Sequence, residues 1–540
     1  MVTMFMWSTT MSFTMLFLQE WIEPQLLRWP LTVAYLFLLG MISIYGVHRY
    51  WLVYLFAKHG RRNPRPMAWY AQLPKVTVQL PMFNEGVVGQ RVIDAACQLD
   101  YAPDRLQIQV LDDSTDGSGA LAQERVAYWA ARGVNIAYLH RMDRTGYKAG
   151  ALANALPVAE GELIAIFDAD FIPPASFLHR TVHYFTDPQI GMVQTKWSHL
   201  NRDESLLTRG QAIFLDGHFV VEHTARNRSG AWINFNGTAG IWRREAIDTA
   251  GGWQHDTLTE DVDLSYRAQL AGWKFCFLPW VRCPAELPPE INAFKSQQHR
   301  WTKGSIQTAL KLLPRLMRSD AGARVKIEAF FHLTSPMVYL YVTLLALLFY
   351  PAIFVNLQAM GRGTWSGVVL GLGLFGMGTI SATVFYIASQ RAQRRSGWMT
   401  VAAVPMLMAI GIGIALNNAV ACLEALTGHE SPFVRTPKYN RTGGGKRGGK
   451  TGTRRERVRS PMSFIPIPSM RKSISILELA MGVYMLECAR LSVEVHNTIV
   501  SLPFLLLFAG GYLYVGLTSL WVHLRGWMDG RKVAAAAAAA

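Results

Sequence analysis

Two long apolar zones flank a middle region in which short apolar runs alternate with mixed stretches. The first zone runs from Leu31 to Phe56. A hydrocarbon core ~30 Å thick needs about 20 apolar helical residues, so this zone is long enough to span a bilayer. Met4 to Leu18 is apolar but shorter, and reads as an extra span or an interfacial helix. No basic stretch precedes it, which argues against a cleaved leader. The second zone holds five apolar segments: Phe330–Val355, Val368–Ala388, Val401–Leu426, Ile474–Glu487 and Ser501–Leu520.

The middle predicts alternating strands and helices. Strands are expected at Val76–Leu80, Ile108–Leu111, Asn135–Leu139 and Leu163–Phe167, with helices at Gly89–Leu99, Gly119–Arg132 and Tyr147–Leu156. This βαβα order predicts a mostly parallel sheet with helices on both faces. Ligands in such sheets sit at the carboxyl ends of the strands.

Composition excludes several classes. The chain has 540 residues, is 51% hydrophobic and 17% charged, and carries a net charge of +16. That is too apolar for disorder. Five scattered cysteines without a C-x-x-C pair exclude a disulfide scaffold and a zinc ribbon. The charge is local. Between Leu426 and Ile474 twelve Lys and Arg stand against two Glu, a net +10. Basic loops stay cytoplasmic, as do Lys58, Arg61, Arg62 and Arg65 after the first zone and Arg391, Arg394 and Arg395. Val401–Leu426 then begins and ends on one side, so it is expected to be re-entrant or interfacial. Basic residues beside spans set topology and touch anionic lipid, and no nucleic-acid motif accompanies them, so nucleic acid is not expected as a partner.

Acidic and basic motifs fall at the strand ends. Asp112-Asp113-Ser114 follows one strand and Asp168-Ala169-Asp170 another. Mg²⁺ or Mn²⁺ commonly pairs one or two carboxylates with substrate phosphates. Turn and cap chemistry accounts for such aspartates as well. Gly146 and Lys148 open a helix, where the free N–H groups favour anions such as a diphosphate. Phe235–Gly240 is a glycine-rich turn. Thr259-Glu260-Asp261 starts a helix, which helix-dipole complementarity alone would also favour. Gln297-Gln298-His299-Arg300-Trp301 opens a helical stretch whose apolar stripe, Leu310, Leu313, Leu316 and Met317, and basic residues, Lys303, Lys311 and Arg315, suit a membrane surface. Arg300 can fork onto phosphate oxygens and Trp301 can stack on a sugar ring.

Taken in order, Leu80-Pro-Met-Phe-Asn-Glu85, Asp112-Asp113-Ser114, Lys148-Ala-Gly-Ala-Leu, Asp168-Ala-Asp170, Thr259-Glu-Asp261 and Gln297-x-x-Arg300-Trp301 resemble the processive membrane glycosyltransferases of family 2, the cellulose synthase and cellulose synthase-like superfamily. The resemblance implies an α/β GT-A domain inserted between α-helical transmembrane segments. It implies that Pro81, Phe83, Glu85, Asp112, Asp113, Lys148, Asp168, Gln297 and Arg300 bind the nucleotide-sugar. Asp168 and Asp170 would hold Mg²⁺ or Mn²⁺. Asp261 would be the general base, with Glu260 beside it. Trp301, Phe235, Gly237 and Thr238 would meet the acceptor. Phe433-Val-Arg-Thr-Pro-Lys438 resembles the cellulose synthase gating loop, with Phe433, Thr436 and Lys438 kept and Arg435 in place of the usual valine.

The expected organisation is an N-terminal membrane region (1–60), a cytoplasmic catalytic domain (61–289), interfacial helices (290–325), and spans with a re-entrant segment (326–426). A basic gating loop (427–472), a C-terminal hairpin (473–532) and a tail (533–540) follow. The expected activity is inverting, processive synthesis of a β-linked polysaccharide, a β-glucan from UDP-glucose. The product would leave through a channel between spans of the plasma (inner) membrane. Glu478 would hydrogen-bond the growing polysaccharide, and an accessory secretion subunit could carry it onward. The Gln-Gln-His-Arg-Trp string resembles plant mannan synthases, so β-mannan or glucomannan from GDP-mannose is one alternative. A non-processive lipid glycosyltransferase is the other.

Overall fold

The structure, a computed structural model, describes residues 24–360, 365–429, 469–494 and 501–539. The long helix α1 (Pro24–His59) leads into a seven-stranded sheet of order β3-β2-β1-β4-β6-β5-β7. The strands are β1 (Val76–Met82), β2 (Leu106–Asp112), β3 (Ile136–His140), β4 (Leu163–Ile166), β5 (Ile190–His199), β6 (Gly240–Arg243) and β7 (Lys274–Ala285). All neighbours are parallel except β6, which runs antiparallel to both β4 and β5. This is a GT-A-type sheet, and its first four strands lie where the alternating pattern predicts them. β1 is buried along nearly its whole length. A central parallel strand covered on both faces needs that continuous apolar character.

Helices α2 (Gly86–Cys97) and α3 (Ser118–Ala130) cover one face, packing Val92, Ile93 and Val126 on Val78, Leu80 and Val110. The other face buries Ile164, Ile166 and Trp242 beneath α4 (Tyr147–Ala155), α7 (Arg244–Thr249) and α8 (Glu260–Leu270). Between β5 and β6 run α5 (Leu206–Asp216), a π-helical segment (Gly217–His223) and α6 (Thr224–Ser229). Register sets Met82 beside Asp112 and Gln79 beside Ile166. The loops after β1, β2 and β4 therefore open at one edge of the sheet, where the predicted motifs meet.

After the sheet come α9 (Ile291–Arg318), α10 (Ala323–Thr334), α11 (Met337–Met360), α12 (Trp365–Ala392), α13 (Gly397–Gly413), α14 (Ala415–Thr427), α15 (Ser469–Glu494) and α16 (Leu502–Ala539). Among the described residues, Trp29–His59 and Leu502–Arg525 are long and apolar enough to cross a membrane. The count rises to four if the bent pairs α10 with α11, at 54°, and α13 with α14, at 43°, each make one span. The chain is thus membrane-bound. The break at Ile414 divides the segment Val401–Leu426 that charge parity expects to be re-entrant.

Two basic residues expected on a membrane-facing surface of α9 are committed to protein. Lys303 is buried and bonds Glu424 of α14 at 3.0 Å, and Lys311 bonds Asp256 and Asp263. Glu478 is likewise buried against Lys295 of α9 at 2.7 Å, so it has an ion partner in place of the sugar chain expected for it. The gating-loop residues Phe433, Thr436 and Lys438 lie outside the described residues.

The sheet is also docked to α12 through charge. Buried Asp216 holds Lys196 at 3.0 Å and Arg202 at 2.6 Å, and accepts from Gln390 of α12 at 3.1 Å. Burial works against the Asp216 charge, but the two cations outweigh it and hold the carboxyl below its usual range. Asp216→Asn leaves two buried cations without a counter-ion. Breaking one side of such a cluster costs about 3–5 kcal/mol. The expected result is a clear fall in the thermal unfolding midpoint of the detergent-solubilised chain.

Candidate active site

The open edge of the sheet forms a cavity of about 230 Å³. Its floor comes from loops that the fold must hold in unusual conformations. Gly146 (φ +76°) and Tyr147 (φ +47°) turn the chain into α4, and Gly237 (φ +78°) turns it after Phe235. At Gly237 the positive φ favours glycine, and a Cβ there would crowd Asp261 Oδ2 at 3.1 Å.

Lys148 is the centre of the floor. Its Nζ donates to Asp168 Oδ1 at 2.6 Å and to the Gly237 carbonyl at 2.8 Å, and lies 3.8 Å from Glu260. Burial disfavours the lysine charge, but Asp168, Glu260 and Asp261 outweigh it and raise Lys148 above its ordinary value. Asp261, in the first turn of α8, moves up to about 7. Burial is the main cause and the adjacent Glu260 the second, partly offset by Lys148. A carboxyl poised near neutrality can take a proton in this pH range.

The loop after β4 is fixed from two sides. The Asp168 N–H donates to Thr238 Oγ1 at 2.9 Å, and Arg91 donates to the Asp170 carbonyl at 3.4 Å. Both Asp168 and Asp170 line the cavity. Among the described residues no group of three His, Cys, Asp or Glu is arranged to hold a metal. Two adjacent carboxylates suit a hard divalent cation whose remaining oxygens come from a diphosphate and water. The residues present therefore fit Mg²⁺ or Mn²⁺ bound together with a nucleotide.

The far wall belongs to α9. Gln297, Arg300 and Trp301 all line the cavity, and the Trp301 ring sits 6.5 Å from that of Trp197. Gly304, one turn on, makes this approach possible: a Cβ there would lie 2.5–2.8 Å from Thr259, including its backbone nitrogen. Pro81, Phe83, Glu85, Asp113, Gly237 and Glu260 complete the predicted set at the cavity.

Three predicted residues lie elsewhere. Asp112 is buried, accepting from Ser114 and, at 2.7 Å, from the Tyr138 hydroxyl, so it shapes the loop rather than facing a nucleotide. Phe235 is fully buried against Trp242 and is core, not an acceptor platform. Thr238 is buried and spends its hydroxyl on Asp168. Other partners escape motif reading. Arg141 grips Asp113 through two bonds, at 2.8 and 2.5 Å, and Arg144 covers the Phe83 ring at 3.3 Å. Trp197, His199, Asn236 and Glu286 also line the cavity. Trp197 and His199 lie near the end of β5, a strand outside those expected from the alternating pattern, and nothing local marks Arg141.

The mostly parallel sheet has a GT-A-like layout, and the family described as glycosyltransferase-like family 2 matches residues 74–304. Within that matched region the chain is similar to cellulose synthase-like members of the family. It is 47% identical over 249 residues to glucomannan 4-beta-mannosyltransferase 9 of Arabidopsis thaliana, covering 45% of this chain and 47% of that protein. It is 46% identical over 254 residues to glucomannan 4-beta-mannosyltransferase 2 of the same plant, covering 46% and 48%. The chain thus spans about half the length of the curated relatives it matches. Among solved structures, the mannosyltransferase PcManGT from Pyrobaculum calidifontis, in complex with GDP-Man and Mn²⁺, aligns with a TM-score of 0.49 and 22% identity. That alignment covers 66% of this chain and 97% of PcManGT.

Gly304→Ala tests the close contact of α9 with α8. The added methyl has backbone, not a flexible tip, in its way, and overpacking of this kind costs about 1–3 kcal/mol. Sugar transfer is expected to fall at least about tenfold, with a fall in the unfolding midpoint of only a few degrees. An unchanged rate would show that the two helices can separate freely.

Proposed function

We propose that the chain is an inverting, processive β-1,4-mannosyltransferase that builds a mannan or glucomannan from GDP-mannose. The observation that carries this reading is the 46–47% identity over 249–254 residues to two glucomannan 4-beta-mannosyltransferases. It favours mannose over the UDP-glucose and β-glucan expected from the motifs alone. The processive character rests on the resemblance of the ordered motifs to polymer synthases and on the membrane helices packed against α9.

In this mechanism an acceptor hydroxyl attacks the anomeric carbon of the donor in one displacement, which inverts it. Asp261 takes the hydroxyl proton on a carboxylate oxygen. A positioned base contributes about 10²–10⁴-fold. Lys148 and Arg300 offset the charge that develops on the departing diphosphate, and Gln297 orients it. Trp301 stacks on the acceptor sugar, and holding both sugars in register supplies the proximity term. Phe83, Glu85 and Asp113 hold the nucleoside. A divalent cation held by Asp168 and Asp170 would supply further positive charge to the diphosphate.

The donor and product are tested with the full chain in lipid vesicles, offering GDP-mannose, UDP-glucose and UDP-N-acetylglucosamine separately with Mn²⁺ or Mg²⁺. Long polymer from GDP-mannose, cut by β-1,4-mannanase, is expected. Polymer from UDP-glucose alone would return the donor to glucose. Single-sugar transfer to lipid would replace the processive reading. Cation binding has its own readout, the Mn²⁺ electron paramagnetic resonance signal in the presence of GDP, which Asp170→Asn should weaken.

The base is tested through pH. Asp261 must be ionised to act, and its raised pKa means that it is protonated below about pH 7. The value of kcat/KM should therefore fall about tenfold per pH unit below 7. Glu260→Gln removes the like charge, lowers the Asp261 pKa and moves this limb to lower pH. Asp261→Asn should abolish transfer while nucleotide still binds. A profile that does not move in Glu260→Gln would assign the limb to another group.

A further inference from the structure

The floor of the cavity leans on one buried glutamine that the transfer mechanism does not use. Gln194 of β5 lies directly across from Gly240 of β6 and is fully buried. Its side chain reaches into the turn made by Asn236, Gly237, Thr238 and Ala239. Oε1 accepts from the Asn236 backbone N–H at 2.9 Å. Nε2 donates to the carbonyls of Thr195 at 2.9 Å, Thr238 at 3.1 Å and Ala239 at 3.2 Å. These partners fix which way the amide points, because a backbone N–H only donates and a carbonyl only accepts. A primary amide offers an acceptor and two donors at one end of a neutral side chain, and the turn uses both kinds.

The turn needs that hold. Gly237 has φ +78° and Ala239 has φ +54°, so two of its four residues are left-handed. Gly237 adopts this conformation freely, whereas the Cβ of Ala239 disfavours it. Such a residue persists only where its surroundings over-determine it, and residues of this kind cluster at functional sites. Here the Ala239 carbonyl also accepts from the Thr195 N–H at 3.1 Å and from Thr195 Oγ1 at 2.7 Å. The Ala239 N–H donates to the Ile166 carbonyl at 2.9 Å. What the strained turn delivers is the Gly237 carbonyl, which accepts from Lys148 at 2.8 Å. Loss of that carbonyl would leave Asp168 as the one hydrogen-bond partner of the ammonium among the described residues. The anchoring strand is itself fixed: two residues on, Lys196 pairs with Asp216 at 3.0 Å, the carboxylate that also meets Gln390 of α12.

We propose that Gln194 is a positioning residue for sugar transfer. Its amide, helped by Thr195, locks the turn in the left-handed form that presents the Gly237 carbonyl to Lys148. The lock thereby fixes where the ammonium stands relative to Asp261. Without it Ala239 leaves the left-handed region, the carbonyl turns away, and Lys148 follows Asp168 alone. The consequence for catalysis rests on the glycosyl-transfer reading above; the hold of Gln194 on the turn does not.

The test uses the full chain in lipid vesicles with Mn²⁺, and GDP and GDP-mannose as probes. Hydrogen–deuterium exchange, read by mass spectrometry, follows the backbone amides of the turn. Transfer is expressed as kcat per GDP-binding site, so that a loss of folded protein does not count as a loss of rate. Gln194→Met keeps a similar volume and removes all four side-chain bonds. It is expected to speed exchange in the turn at least about tenfold while β1 and β2 stay protected. It is expected to lower kcat per site about 10- to 100-fold, the scale of a small misplacement at a reacting group. Thr195→Val removes one hydroxyl bond and is expected to lower kcat per site about three- to tenfold, whereas Thr195→Ser, which keeps the hydroxyl, stays within about twofold. If Gln194→Met does not fold, the Thr195 pair decides. The proposal is overturned if either turn exchange or kcat per site in Gln194→Met stays within about twofold of the parent, or if Thr195→Ser falls as far as Thr195→Val. A parent chain that binds GDP but transfers no sugar would sink the proposed function, while the exchange rates would still judge the hold of Gln194 on the turn.

Discussion

The site is organised around the single cation of Lys148. Its ammonium ties four segments remote in sequence: the start of α4, the acidic loop at Asp168, the carbonyl of the Gly237 turn and the first turn of α8 at Glu260. Without a positive charge there, three carboxylates at one cavity would repel one another. With it, they are held close and unevenly: Asp168 is paired directly, whereas Asp261 gains less and remains poised near neutrality. One short bonded cluster thus sets similar acids apart, one paired directly with the lysine and one left near neutrality.

Helix α9 carries this arrangement to the membrane. Gln297, Arg300 and Trp301 reach the cavity, while Lys295 and Lys303 form ion contacts with Glu478 of α15 and Glu424 of α14, and His299 between them lies 3.4 Å from Glu424. Buried pairs of this kind cost desolvation, and what they gain is a defined register, since a shifted helix would strand charges out of water. Together with the Gly304–Thr259 contact, they fix where Arg300 and Trp301 stand relative to Asp261. The membrane helices are in this sense part of the site's geometry.

Much of this was legible in the chain. Buried parallel strands need continuous apolar runs, so the first four strands and their helices follow from periodicity, and the motif residues fall at strand ends because βα loops must begin there. Thirteen of the motif residues do meet at one cavity. Asp112, Phe235 and Thr238 do not, because a motif records neighbours along the chain and not the direction of a side chain. Phe235 is as apolar as any stacking platform, and only packing on Trp242 makes it core. Lys303, Lys311 and Glu478 read as membrane-surface or channel charges until their partners are seen.

The sequence by itself determined the class of fold, the membrane-bound character and the set of chemical groups delivered to the strand ends. Hydrophobic periodicity and the conformational demands of glycine and proline act over a few residues and are written locally. Only the tertiary structure decided which of those groups pair: Arg141 with Asp113, Lys148 with Asp168, Lys295 with Glu478, and His218 with Asn236. These contacts join segments up to 183 residues apart. Protonation state and hydrogen-bond direction depend on distances of a few ångströms and on exclusion of water, and both arise only when the separate elements are packed together.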